Sequence, residues 1–106
     1  MTSAGEQWSV YLLRCRDGTF YTGIATDVAR RVGEHQSGRR GAKYLRGRSP
    51  FELVYQHAVG DRSTATRVEY HLKKLRRAEK QDLAALPARV DSLIERFAAA
   101  EESPGA

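Results

Sequence analysis

The chain has 106 residues, 41% of them hydrophobic and 29% charged, with a formal net charge of +5. This is the composition of one globular domain with a modest core, which excludes a disordered chain. Its longest apolar runs, Val10 to Leu13 and Phe97 to Ala100, are far too short to cross a bilayer. No secretory signal is visible at the start, and with Cys15 as the only cysteine no intrachain disulfide can form, so the expected compartment is a reducing cytoplasm.

Residues 1–7 read as a disordered N-terminus. Trp8 to Cys15 and Phe20 to Ile24 are rich in β-formers and are joined through Asp17-Gly18, which predicts a β-hairpin. A three-residue loop of Arg16, Asp17 and Gly18, with Gly18 left-handed, pairs Leu13 with Tyr21 and Tyr11 with Gly23 and sets both tyrosines on one face. A two-residue loop sets them on opposite faces. Thr26 or Asp27 caps a helix over 28–36 that Ser37-Gly38 ends, and Arg31 and His35, four apart, project from one side. A basic, glycine-rich segment with a short helical turn near 42–46 leads to a third strand over 51–59, with Phe51, Leu53, Tyr55 and His57 expected on one face. Asp61 or Ser63 then caps a helix running to about Leu75, its stripe Ala65, Val68, Leu72 and Leu75, with Glu69 on the stripe's border. A further helix is predicted over 78–86, and Pro87 opens a last one with the stripe Val90, Leu93, Ile94 and Phe97.

The charge is concentrated. Residues 28–80 hold fourteen Lys and Arg against five acids, for +9, while 1–27 carry −1 and 81–106 carry −3. Such a block is either an ordinary solvated surface or the footprint of a polyanion. Cys15, His35, His57 and His71 have no zinc-finger spacing, and the glycines of residues 38–43 lack the spacing of a nucleotide-binding phosphate loop.

Ser9-Val10-Tyr11, Tyr21-Thr22-Gly23 ten residues later, Arg31 and His35 on the next helix and Glu69 on a later one resemble, in that order, the GIY-YIG nuclease superfamily. The resemblance covers about residues 8–85, and residues 60–80 are similar to its small stand-alone bacterial members. It implies an α+β fold, a three-stranded antiparallel β-sheet flanked by helices, with a domain over 8–86 and, in this chain, an extra C-terminal helix and frayed tail over 87–106. It further implies a DNA endonuclease that hydrolyses phosphodiester bonds with one divalent ion, Mg²⁺ or Mn²⁺. By position, Tyr11, Tyr21, Arg31 and His35 are the implied catalytic residues, Glu69 the metal ligand and Gly23 the triplet glycine. Ile24 stands where many relatives carry Lys, and residues 76–90 contain no Asn.

The residue types suit this chemistry in their own right. Phosphodiester cleavage builds negative charge that a fixed arginine and a cation stabilise, and one carboxylate suffices to hold a Mg²⁺ that keeps its waters. Tyr21 and His35 compete as general base, since a phenol near pKa ~10 needs a cation to lower it whereas an imidazole near ~6.5 does not. Singly, Tyr11 and Tyr21 also read as sheet packing, Arg31 and His35 as a solvated helix face, and Glu69 as a partner of Arg62, Lys73 or Arg76. Arg39, Arg40, Lys43, Arg46 and Arg48 form the expected phosphate grip, with Tyr44 stacking on an exposed base. The partner implied is branched, flapped or damaged DNA, with RNA open and no membrane. A non-catalytic nucleic-acid-binding module of the same fold is the alternative.

Overall fold

In the computed structural model, which describes residues 7–37, 41, 43–45 and 47–102 and leaves out the side chains of Tyr44 and 99–102, the run Val10 to Leu13 lies in β1 (Trp8–Arg14). This strand has β2 (Phe20–Ala25) on one side and β3 (Glu52–Gly60) on the other, both antiparallel. Val10 to Leu13 are all buried, and they are continuously apolar because the central strand is covered on both faces. Val10 and Leu12 enter a core with Val59, Ala65, Val68, Leu72, Leu86, Val90 and Leu93. Tyr11 and Leu13 enter a second, smaller one with Cys15, Ala25, Val28, Leu45 and Phe51.

The hairpin takes the three-residue form. Cys15 N–H donates to the Thr19 carbonyl (2.8 Å) and Gly18 N–H to the Cys15 carbonyl (2.9 Å), with Gly18 at φ +84°, a conformation that favours glycine. Leu13 therefore faces Tyr21 and Tyr11 faces Gly23. The third strand departs from expectation. A register shift makes Leu12 face Tyr55 but Leu13 face Leu53, which inserts Val54 as an extra residue and reverses the alternation. Phe51 is consequently buried beside Tyr11 and Leu13, whereas Val54 and Tyr55 pack on the opposite core.

Helix α1 (Val28–Ser37) starts where the Asp27 carboxylate accepts the Arg30 N–H (3.1 Å). Helix α2 (Arg62–Lys73) starts where Asp61 accepts the Thr64 N–H (2.8 Å), and it turns Ala65, Val68 and Leu72 inward. The predicted helix over 78–86 is instead α3 (Arg77–Gln81) followed by a 3₁₀ turn at Leu83–Ala85. The break falls at Asp82, whose ψ of 71° is not helical; aspartate is a poor helix-interior residue, and the redirected chain delivers Leu86 into the core. Helix α4 (Leu86–Glu102) begins there with Pro87 in its first turn, where the missing N–H is tolerated. His57 of β3 bonds Tyr55 (2.7 Å) and Asp91 of α4 (3.1 Å), and His71 lies between the Tyr70 and Phe97 rings. Among the described residues no helix is long and apolar enough to cross a membrane.

Opposite Leu12, Thr22 is buried and its hydroxyl has no hydrogen-bond partner among the described residues. An orphaned buried hydroxyl carries its desolvation penalty without return, so Thr22→Val is expected to stabilise the fold by about 1 kcal/mol. Urea titration reads this as a raised midpoint with unchanged slope; a lowered midpoint contradicts it.

Candidate functional site

The hairpin register puts Tyr11 and Tyr21 on the same face of the sheet, with ring centroids 6.4 Å apart. Gly23 stands directly across from Tyr11, and a Cβ there would lie 2.5 Å from both Cζ and the hydroxyl oxygen of that tyrosine. Only a residue without a side chain lets the Tyr11 ring cross over β2. Gly23→Ala is therefore expected to destabilise the protein by about 1–3 kcal/mol through overpacking and to push Tyr11 out of its place. Thermal melting measures this, and a wild-type melting temperature would show that the ring has room to move.

Helix α1 delivers the next groups. Arg31 and His35 both reach the tyrosine pair from consecutive turns, as their spacing requires. His35 is 4% exposed; its Nε2 shares a hydrogen bond with the Tyr11 hydroxyl (2.9 Å), and its ring meets Tyr21 edge-on at 5.4 Å. Burial, and then the Arg31 charge, hold its pKa below the ordinary 6.5, so the ring is neutral at pH 7. Arg31 donates through Nη1 to Glu34 Oε1 (2.8 Å), a bond that raises its own pKa. Glu34 also pairs with Arg30 (3.7 Å) and was missed in the sequence, although its spacing of three and four from the two arginines is the signal of a helix-surface pair.

Burial is the largest influence on both phenols and raises both. Tyr21 and Glu69 raise Tyr11 further, while Arg31 lowers it by charge and hydrogen bond. Tyr21 is likewise lowered by Arg31 and raised by Glu69. Both hydroxyls are protonated at neutral pH in this state. The fifth residue, Glu69, comes from α2, and its negative charge raises the pKa of both tyrosines. It is largely buried and already holds one cation, the Lys73 ammonium at 3.5 Å. Among the described residues no group of three or more His, Cys, Asp and Glu could hold a metal ion. A single hard-oxygen carboxylate suits a Mg²⁺ or Mn²⁺ that retains waters and takes a phosphate oxygen, rather than a fully caged ion. The two tyrosines, Arg31 and His35 thus meet between a hairpin and one helix, with the Glu69 charge acting on both phenols from a second.

The basic segment is placed only in part. Arg39, Arg40 and Arg46, and the side chain of Tyr44, lie outside the described residues. Lys43 is exposed in the 3₁₀ turn Lys43–Leu45. Arg48 turns toward the hairpin loop, where it donates to Asp17 (2.5 Å) and Thr19 (3.4 Å).

A sheet of order β2-β1-β3 flanked by helices, with the two tyrosines, Arg31 and His35 gathered on one face, defines a nuclease-type fold. Residues 7–82 match the family model of the GIY-YIG catalytic domain, and the chain belongs to that family. A UPF0213 protein of Cronobacter sakazakii is 50% identical over 80 residues, covering 76% of this chain and 83% of the relative. One of Vibrio cholerae is 49% identical over 87 residues, covering 81% and 85%. A protein from E. faecalis solved by solution NMR is 39% identical, with a TM-score of 0.53 over 77% of this chain and 88% of that one.

Proposed function

We propose that this protein is a divalent-metal-dependent DNA endonuclease acting in the cytoplasm on branched, flapped or damaged substrates, in repair or recombination. The observation that carries this reading is the meeting of Arg31 and His35 with the Tyr11–Tyr21 pair, on which the Glu69 charge also acts. The +9 segment over 28–80 supports a partner held through its phosphates, a contact that responds to backbone shape rather than base sequence.

In this reading water attacks the scissile phosphorus as its bond to the leaving ester oxygen breaks; the water's proton passes to the Tyr11 oxygen as the Tyr11 hydroxyl proton moves to His35 Nε2, and the leaving oxygen takes a proton from solvent. The pair that shares the 2.9 Å bond therefore acts as one base. The imidazole, kept neutral by burial and by Arg31, is in the state that accepts a proton. Tyr21, beside both rings, orients the water. The Arg31 guanidinium, fixed by Glu34, faces the negative charge that develops on the phosphoryl oxygens. Glu69 is the residue that would hold Mg²⁺ or Mn²⁺, which when bound supplies further stabilisation of that charge and of the leaving oxygen.

The test is incubation with Mg²⁺ or Mn²⁺ and a panel of duplex, single-stranded, flapped and branched DNAs and an RNA, beside Glu69→Ala and Arg31→Ala. Metal-dependent cleavage absent from both variants supports the proposal. Binding alike in all three proteins, without cleavage, assigns a non-catalytic module instead.

The state of His35 sets a pH profile. Because its pKa is lowered in the fold, protonation is deferred below 6.5, and cleavage is expected to hold steady above that value and to fall as acidification reaches the depressed one. Stability follows the same sign. In that window the unfolded chain binds more protons than the native one, so the contribution is complete above 6.5 and is lost on acidification. His35→Gln should flatten this part of both profiles; a wild-type acid limb in the variant would place the titrating group elsewhere.

A further inference from the structure

Arg77 and Lys80, three apart on α3, project from one side of the helix, and with Thr19 and Phe20 they line a notch of about 130 Å³. The Arg77 guanidinium lies over the hairpin loop at Gly18, where any Cβ would collide with its Nη2. Neither side chain has an ion-pair or hydrogen-bond partner among the described residues. Three nearby acids are committed elsewhere: Asp17 to Thr19 and Arg48, Glu79 to Arg89 and the Arg76 N–H, and Glu69 to Lys73. Lys80 is half-buried, and its pKa is lowered by that burial and by the Lys73 charge. Like charges at this helical spacing oppose folding, and partial burial adds to the cost. An anion taken into the notch relieves both.

The notch lies at the hairpin end of β2, on the face opposite the tyrosines. Phe20 immediately precedes Tyr21, and Lys73 is one turn beyond Glu69. We propose that Arg77 and Lys80 bind a backbone phosphate of the nucleic-acid substrate remote from the scissile one, so that the strand runs across the hairpin end of the sheet. This rests on the nuclease reading above and extends it by a second contact.

Binding is measured by fluorescence anisotropy with a labelled flapped DNA, in Glu69→Gln protein so that cleavage does not interfere, over a range of salt concentrations. Arg77→Ala/Lys80→Ala is expected to weaken binding and to reduce the slope of log K against log[salt] by about 1, the signature of one lost phosphate contact. The control pair Lys74→Ala/Arg96→Ala removes the same charge from positions away from the notch and is expected to keep the slope. Equal slopes in the two pairs, whether reduced or not, overturn the proposal. If the Glu69→Gln protein binds none of the nucleic acids, the nuclease reading falls with it; if it binds them and only the slope prediction fails, that reading survives. Melting curves of both pairs confirm that the fold is intact.

Discussion

Arg31→Ala is expected to lower the single-turnover rate of DNA cleavage by about 10²- to 10³-fold, the loss that follows removal of one fixed donor from developing transition-state charge. The fold should tolerate the change, because the side chain is one-third exposed and bonds the neighbouring turn through Glu34. Arg31→Lys keeps the charge but not the planar fork, so its rate should fall between wild type and alanine. Rapid-quench measurements at saturating DNA separate rate from affinity. A variant that binds less tightly but cleaves at the wild-type rate would reduce Arg31 to a grip on the backbone.

The second large effect concerns the C-terminal helix. The family match ends at residue 82, yet α4 contributes Leu86, Val90 and Leu93 to the same core as Val10, Leu12, Val68 and Leu72. Leu86 is 0% exposed, and Leu86→Ala is expected to cost about 2–5 kcal/mol, a large part of a total stability of about 5–15 kcal/mol. Ending the chain after residue 85 removes all three residues and uncovers Val68 and Leu72, so cooperative unfolding should disappear. Urea titration followed by circular dichroism checks both. A shortened chain with the full-length midpoint would make α4 an appendage to a self-sufficient domain.

The parts of this molecule that were legible in its sequence are those governed by local chemistry. Asp17-Gly18 announces the hairpin but not which of two loop lengths it takes, and Thr26 or Asp27 and Asp61 or Ser63 announce the helices that carry Arg31, His35 and Glu69. The shift on β3 was not legible, since nothing in Phe51 to Tyr55 distinguishes a strand with an extra residue from a regular one; packing on two faces decides it. The break at Asp82 was hidden for a similar reason, because it depends on where Leu86 must arrive. In the site, the order of residue types was readable, but the bond between Tyr11 and His35 joins residues 24 apart and exists only through the register of the sheet against α1. Glu34 passed as an ordinary surface charge because its significance comes from the arginine it holds.

The extra residue at Val54 makes chain length near the sheet a discrete variable. Phe51 closes the tyrosine side, while Tyr55 and His57 anchor the side held by α4, so three or four residues of one edge strand serve two separate cores in opposite phase. Deleting one residue between Phe51 and Tyr55 would leave composition and hydrophobicity almost unchanged and yet misdirect one set or the other. Natural or engineered changes in length should therefore be absent from residues 51–55.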